Sequence, residues 1–268
     1  MKKTDYLEIH VTHTCNLYCS SCSHYSQHHV GGSVSLEQAK NWSSLWRERL
    51  TPSQIALLGG EPTLHPNLSE FIETVQRAWP QSQLILKTNG FFLKRHNRLR
   101  DVLKETGCIL ELNCHSDLPE YLDKYQEILI HIQDWLEIPI VLKNSFGGKI
   151  HKSWTQRYLG LRENMLPFND LSPQKSWEIC NCRECLTLFD GRLWKCPPIA
   201  YLRLLPKYFP LRADWHPYLA YAGLGPDCSE KELEEFLNRK AEFICGMCPS
   251  REILHDKGNP LKNTLSSC

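Results

Sequence analysis

Apolar and polar positions alternate between two rhythms over the first 145 residues. Leu7 to Val11, Gln54 to Leu58, Gln83 to Lys87, Ile109 to Cys114 and Ile138 to Lys143 are short apolar-rich runs, and each reads as a strand. Between them the spacing becomes helical. Leu68, Phe71, Ile72, Val75 and Trp79 share one face of a predicted helix over 66–79. Asn97 to Thr106 reads as a helix closed by Gly107, and Pro119 to Trp135 as another. Ser35-Leu36-Glu37-Gln38 is a capping box, in which Ser35 caps the first turn and Gln38 reaches back. It predicts a helix running to about Leu50.

Strand–helix pairs of this length imply parallel strands with helical crossovers. About five units fit before residue 150, short of the eight of a closed barrel. An open or partial α/β barrel is expected, with its ligands at the carboxyl ends of the strands. From 147 to 175 the pattern is lost among aromatics, Pro and Gly, which marks a connecting region. Cys185 to Cys196 reads as a hairpin turning at Asp190-Gly191. Ser229-Glu230-Lys231-Glu232 is a second capping box, opening a helix to about Phe243.

Composition narrows the class. The 268 residues carry a formal charge of +1, and 41% are hydrophobic, as in ordinary globular chains. No apolar run approaches membrane-spanning length. The start, Met1 to Tyr6, leads into a strand pattern rather than a signal peptide, so a reducing cytoplasm is the expected compartment. The near-neutral balance gives no general nucleic-acid footprint. Its one local basic run, Lys94, Arg95, His96, Arg98 and Arg100, reads as a solvated loop and helix start.

Thirteen cysteines then require an explanation. They are odd in number and concentrated at 15–22, 180–196 and 245–248, which points to metal rather than disulfides. Cys15, Cys19 and Cys22 follow the first strand as C-x3-C-x2-C. Three thiolates from one short loop can hold three irons of a [4Fe–4S] cluster and leave the fourth iron open. The rival reading is a zinc site of these three with His24.

The run His13-Thr14-Cys15-Asn16-Leu17-Tyr18-Cys19-Ser20-Ser21-Cys22 resembles the cysteine loop of the radical S-adenosylmethionine (SAM) superfamily. Gly59-Gly60-Glu61-Pro62 resembles its Gly-Gly-Glu motif, and Thr88-Asn89-Gly90 its Thr-Asn-Gly after the third strand. Order and spacing agree over about residues 5–145. The resemblance implies a partial (β/α)6-type radical SAM barrel over 1–150. It implies a cluster on Cys15, Cys19 and Cys22 that binds SAM through its open iron. It further implies SAM contacts from Gly59, Gly60, Glu61, Thr88 and Asn89, and from the strand-end Ser116; Lys143 has the same status as Ser116. One departure is Ser21, where the family usually has an aromatic near the adenine. Tyr18, His24 and Tyr25 are the candidate replacements.

After a connecting region over 151–178, residues 179–268 resemble the SPASM or twitch auxiliary-cluster appendage of that superfamily. If Asp190-Gly191 is a two-residue turn, Phe189 pairs with Arg192, Leu188 with Leu193, and Cys185 falls opposite Cys196. Cys245-Gly246-Met247-Cys248 supplies a C-x2-C loop just past a helix. Cys185, Cys196, Cys245 and Cys248 are therefore the expected ligands of an auxiliary [4Fe–4S] cluster, with Cys180 or Cys182 as replacements. Cys180…Gly191-x4-Cys196 also fits the appendage spacing. A structural zinc site built from four cysteine thiolates is the alternative. Cys108, Cys114, Cys228 and Cys268 read as structural.

The expected function is reductive cleavage of SAM to a 5′-deoxyadenosyl radical, chemistry that side chains alone cannot perform. Hydrogen abstraction from a compact polar substrate would then lead to oxidation, rearrangement or epimerisation. Peptide modification, modification of a nucleic-acid base, and a non-catalytic iron–sulfur or zinc scaffold are the alternatives. The implied partner is an electron donor such as flavodoxin or ferredoxin, with no membrane association. The substrate is either a small polar molecule or a peptide presented by a partner. Trp154, Arg157, Tyr158, Trp177 and Trp194 either line a substrate pocket or pack the two parts of the chain together.

Overall fold

A computed structural model describes residues 1–145, 156–253 and 258–262. Five strand–helix units open the chain. They are β1 (Lys2–Thr12), α1 (Leu36–Trp46), β2 (Leu50–Gly59), α2 (Leu68–Ala78), β3 (Gln83–Thr88), α3 (Leu99–Thr106), β4 (Ile109–Cys114), α4 (Pro119–Ile132) and β5 (Ile140–Asn144). The C-terminal part adds α5 (Pro173–Glu178), the short strands β6 (Thr187–Phe189) and β7 (Arg192–Trp194), α6 (Pro197–Leu202), α7 (His216–Leu219) and α8 (Glu230–Asn238).

One sheet runs in the order β5-β4-β3-β2-β1-β6-β7, parallel throughout except for the antiparallel β6–β7 pair. The expected α/β architecture of parallel strands is therefore present. Its sixth parallel strand differs in origin. Among the described residues no further strand follows β5 on that edge. Instead β6 enters beside β1, pairing Glu8 with Thr187 and Ile9 with Leu188. The hairpin that carries the C-terminal cysteines is thus continuous with the barrel sheet.

Strand alternation sorts the side chains. Leu7, Ile9 and Val11 of β1, with Leu84 and Leu86 of β3 and Leu110 and Leu112 of β4, are buried in the hydrophobic core. The predicted face of α2 is buried there too, with Leu68, Phe71, Ile72 and Val75 fully covered. Each such side chain contributes about 1.5–3 kcal/mol by leaving water. The other face of the strands carries Glu8, His10, Lys87, Glu111 and Asn113. Both capping boxes form as expected, at Ser35 and at Ser229. α8 ends at Asn238, earlier than the expected Phe243. A 3-10 turn over Phe243–Met247 then presents Cys245.

Two of the five residues of the basic run at 94–100 are held in ion pairs. Arg98 bridges Glu70 and Glu73, and Arg100 bridges Asp134 and Glu137. Among the described residues no helix is long and apolar enough to cross a membrane.

Candidate active site

The cysteine loop leaves β1 at Thr12 and is drawn against the end of β2. Gly60 and Glu61 donate their backbone N–H groups to the carbonyls of Thr12 and Thr14, each at 2.8 Å. This close approach explains both glycines. A Cβ on Gly59 would lie 2.1 Å from Thr12 O, and one on Gly60 would lie 2.1 Å from Thr14 O. The pair serves first to dock the loop on the strand.

Glu61 ties the motifs together. It is 1% exposed. Its Oε1 accepts from Thr63 N at 3.0 Å, from Thr63 Oγ1 at 2.5 Å and from the Thr88 hydroxyl, while Oε2 accepts from Asn89 N at 2.8 Å. Burial raises its pKa, against these hydrogen bonds. Asn89 in turn donates from Nδ2 to Oδ1 of Asn16, in the cysteine loop, at 2.8 Å. Three stretches far apart in sequence therefore form one hydrogen-bonded unit.

That unit walls a cavity of about 190 Å³. Cys15, Cys19 and Cys22 line it together with Gly59, Gly60, Glu61, Thr88 and Asn89. Burial pushes the Cys15 and Cys22 thiols up; for Cys22, backbone N–H groups of His24, Ser26 and Tyr25 oppose the shift. Thiols so placed ionise against a bound metal rather than against water. Among the described residues, no three His, Cys, Asp or Glu side chains converge on a single ion. Cys15, Cys19 and Cys22 are the residues that would hold a [4Fe–4S] cluster through their thiolates.

The far side of the cavity is polar, and most of its residues belong to none of the sequence motifs. Lys87 of β3 bridges both carboxylate oxygens of Glu111 on β4 at 3.2 Å, and Asn113 and His115 continue the wall. The signal was present: Glu111 and Asn113 alternate with buried Leu110 and Leu112, placing polar groups on an inner face. Gln27 also lines the cavity, at 2% exposed, and neither polar atom of its amide has a partner. Beyond this wall Glu8 is buried, with its Oε2 unpartnered. Burial raises its pKa to about 7, opposed by Lys87.

Beside the cysteine loop lies a cluster of neutral imidazoles. His10 Nδ1 meets His13 Nδ1 at 3.1 Å, and His10 stacks on Tyr201 of α6 with ring centroids 3.7 Å apart. His24 packs edge-on to His10 at 4.6 Å. Burial lowers His13 and His24 to about 4 each, and His10 well below its ordinary value.

Of the residues considered for the adenine, His24 lines the cavity. Tyr25 is buried, and Tyr18 anchors backbone to the Pro260 carbonyl. Ser21 takes a left-handed backbone and accepts a hydrogen bond from Arg157 N at 2.7 Å. Ser116 is buried in a local turn, accepting from Leu118 N at 3.2 Å, and stands outside the cavity wall; Lys143 is exposed on β5. Of the aromatics, Tyr158 is buried against His28, and Trp194 donates to Phe189 O and stacks under Arg203. Trp154 lies outside the described residues, as does Cys268. Cys108 and Cys114 are buried in the core as expected.

The C-terminal thiols gather around Cys180. The β6–β7 ladder has the predicted register, Leu188 with Leu193 and Phe189 with Arg192, but ends at Thr187–Trp194. Cys185 folds back in a turn, its N–H donating to Cys182 O at 3.1 Å, so it does not stand opposite Cys196 in the ladder. It faces Cys182 and Glu8, and it still interacts electrostatically with Cys196. Cys180 interacts electrostatically with Cys182, Cys196, Cys245 and Cys248. The Cys180 thiol is raised, first by its hydrogen bond with Cys182 and then by burial, while burial pushes Cys248 up to about 12.

A family model described as the Radical SAM superfamily matches residues 9–170, more than half of the chain, and the protein belongs to that superfamily. The family's cofactors are SAM and a [4Fe–4S] cluster, and Cys15, Cys19 and Cys22 on the cavity wall are the residues that would hold the cluster. A GTP 3′,8-cyclase of Aquifex aeolicus is 28% identical over 149 residues, 54% of this chain and 45% of the relative. The chain thus matches less than half the length of that relative. Among solved structures, selenomethionine BtrN in an open conformation is similar at 16% identity and a TM-score of 0.48, covering 92% of both chains. BtrN in complex with AdoMet and 2-DOIA is similar at 17% identity and a TM-score of 0.46, covering 74% of both.

Proposed function

We propose that the protein reductively cleaves SAM at a [4Fe–4S] cluster held by Cys15, Cys19 and Cys22, and abstracts hydrogen from a compact polar substrate. The observation that carries this reading is one cavity shared by the three cysteines, Glu61 with its Thr88–Asn89 partners, and the Lys87–Glu111–Asn113 wall. When bound, the cluster supplies the electron that breaks a carbon–sulfur bond of SAM. The chain's own residues orient the reactants. Glu61 Oε2 offers an acceptor toward the SAM ammonium group. The polar wall, with Gln27, supplies hydrogen bonds to a substrate and keeps it near the cysteine loop.

A second centre completes the reading. Cys180, Cys196, Cys245 and Cys248 are the set we favour for an auxiliary [4Fe–4S] cluster within residues 179–268, because Cys196, Cys245 and Cys248 each interact with Cys180, whereas Cys185 meets Cys196 and otherwise faces Cys182 and Glu8. This replaces Cys185 with Cys180 in the set expected from hairpin pairing. Four thiolates leave no open iron, which suits electron exchange with a substrate radical and with a donor such as flavodoxin or ferredoxin.

The named cyclases suggest GTP as a rival substrate. Among the described residues the one Lys or Arg of the cavity wall is Lys87, already paired with Glu111, which favours a neutral or amino-bearing polar molecule over a triphosphate. The test is anaerobic reconstitution with iron and sulfide counts, followed by reduction with SAM. Formation of 5′-deoxyadenosine by the intact protein, and its loss when Cys15, Cys19 and Cys22 are all alanine, is the expected result. Retention by that triple variant would overturn the assignment. GTP-dependent consumption of SAM would instead favour the cyclase reading.

A further inference from the structure

Arg157 stands between the two cysteine groups. Its backbone N–H donates to Ser21 Oγ at 2.7 Å, one residue before Cys22. Its guanidinium reaches the other group, with Nη1 3.6 Å from Cys180 Sγ and Nη2 3.9 Å from Cys182 Sγ. Cys248, Tyr25 and His24 are also within electrostatic reach. The residue is 9% exposed, and no carboxylate is among its described hydrogen-bond or ion-pair partners.

An arginine side chain is always charged, and a charge removed from water requires an opposite charge beside it. Neutral thiols are weak acceptors and do not meet that requirement. Thiolates carrying a metal centre do. A fork of N–H donors on their sulfurs would stabilise the more negative, reduced form of an iron–sulfur cluster and raise its reduction potential.

We propose that Arg157 is the charge-compensating positioning residue of the auxiliary cluster, setting its potential through the N–H to sulfur hydrogen bond at Cys180 and the positive charge it holds beside the cluster. This rests on the auxiliary-cluster reading above. It makes the centre easier to reduce than the same four thiolates alone, and so suited to accept an electron from a substrate radical. Cys182 gains a role that does not require it to bind iron: it lies beside Cys180 and shares the guanidinium.

The test uses full-length protein with Cys15, Cys19 and Cys22 all alanine, reconstituted without oxygen so that one cluster is observed alone. Its midpoint potential is followed by electron paramagnetic resonance during reductive titration. In this background Arg157→Gln should lower the reduction equilibrium constant at least tenfold, a negative shift of about 59 mV. Arg157→Lys, which keeps the charge and loses the fork, should hold a full complement of iron and recover part of that shift. Retention of the cluster in the Lys variant alone, with the Gln variant unable to hold it, also supports the proposal. An Arg157→Gln protein that titrates at the parental potential would overturn it. So would Lys and Gln variants that shift equally, or that both lose iron, since the role would then be packing or fork geometry rather than charge. A parent that binds zinc, or nothing, removes the auxiliary-cluster reading itself, and the inference with it.

Discussion

Asn89 hydrogen-bonds to Asn16 side chain to side chain at 2.8 Å, joining the end of the third strand to the residue after the first cysteine ligand candidate. Its backbone N–H meanwhile holds Glu61. On the proposed reading, the contact couples the edge of the cavity that would bind SAM to the loop that would hold the cluster. Asn89→Ala and Asn16→Ala should each weaken SAM binding about tenfold, the effect of one net hydrogen bond in a buried setting. A double-mutant cycle on SAM affinity, measured by equilibrium dialysis, should show that the two losses do not add. Additive losses would mean that the pair acts independently.

Gly60→Ala tests the docking of the cysteine loop. The added Cβ meets a backbone carbonyl, which cannot swing aside like a side chain. We expect a destabilisation of about 3 kcal/mol or more, with iron incorporation lost in parallel. Thermal unfolding and an iron count check this. Normal iron content with normal stability would show that the loop sits farther from β2 than described.

Glu61 is both a ligand candidate and a knot in the fold. Glu61→Ala would orphan the N–H groups of Thr63 and Asn89 and the hydroxyl of Thr88. It should cost about 2–4 kcal/mol of stability as well as SAM affinity. Glu61→Gln keeps the shape and one acceptor, and should lose mainly SAM binding. The comparison needs only melting temperatures and SAM titrations of the two variants; equal loss of stability in both would contradict it.

Glu8 predicts a pH dependence. Its pKa in the folded chain is about 7, above the ordinary carboxyl value of 4.5. The native state therefore retains a proton that the unfolded chain releases between these values. Stability from this group is full below about pH 4.5 and is lost as pH rises toward 7. The loss is of order 1–3 kcal/mol, given the nearby Lys87. Glu8→Gln should flatten that part of the melting-temperature profile, and an unchanged profile would rule out Glu8 as its source.

Gln27 carries two buried amide atoms without partners. Replacing it with Leu removes that unsatisfied polarity, so the ligand-free protein should become more stable by about 1–3 kcal/mol. The same change should weaken binding in the cavity, read as a smaller rise in melting temperature on adding SAM without reductant. A less stable ligand-free variant would show that the amide is partnered in solution.

Much of this protein is determined by local rules. The five parallel strands, the two capping boxes, the turn at Asp190-Gly191 and the C-x3-C-x2-C loop all follow from periodicity, helix-end chemistry and short spacing, because each depends on residues a few positions apart. What only the tertiary structure decided depends on residues far apart in sequence. Gly59 and Gly60 were expected to open the backbone toward a ligand; their neighbours show that they first admit the Thr12–Thr14 backbone. Extending the hairpin ladder outward puts Cys185 opposite Cys196, but strand pairing stops at Thr187–Trp194, where the chain turns, and Cys185 lies in that turn beside Cys182. Ser116 has the residue type of a ligand contact, yet it is buried in the turn before α4, where its hydroxyl accepts from Leu118 N, and it is not on the cavity wall. Lys87 against Glu111, the bare amide of Gln27 and the buried charge of Arg157 have no local signature at all. Burial and the absence or presence of a partner give such side chains their meaning, and both are properties of the packed chain.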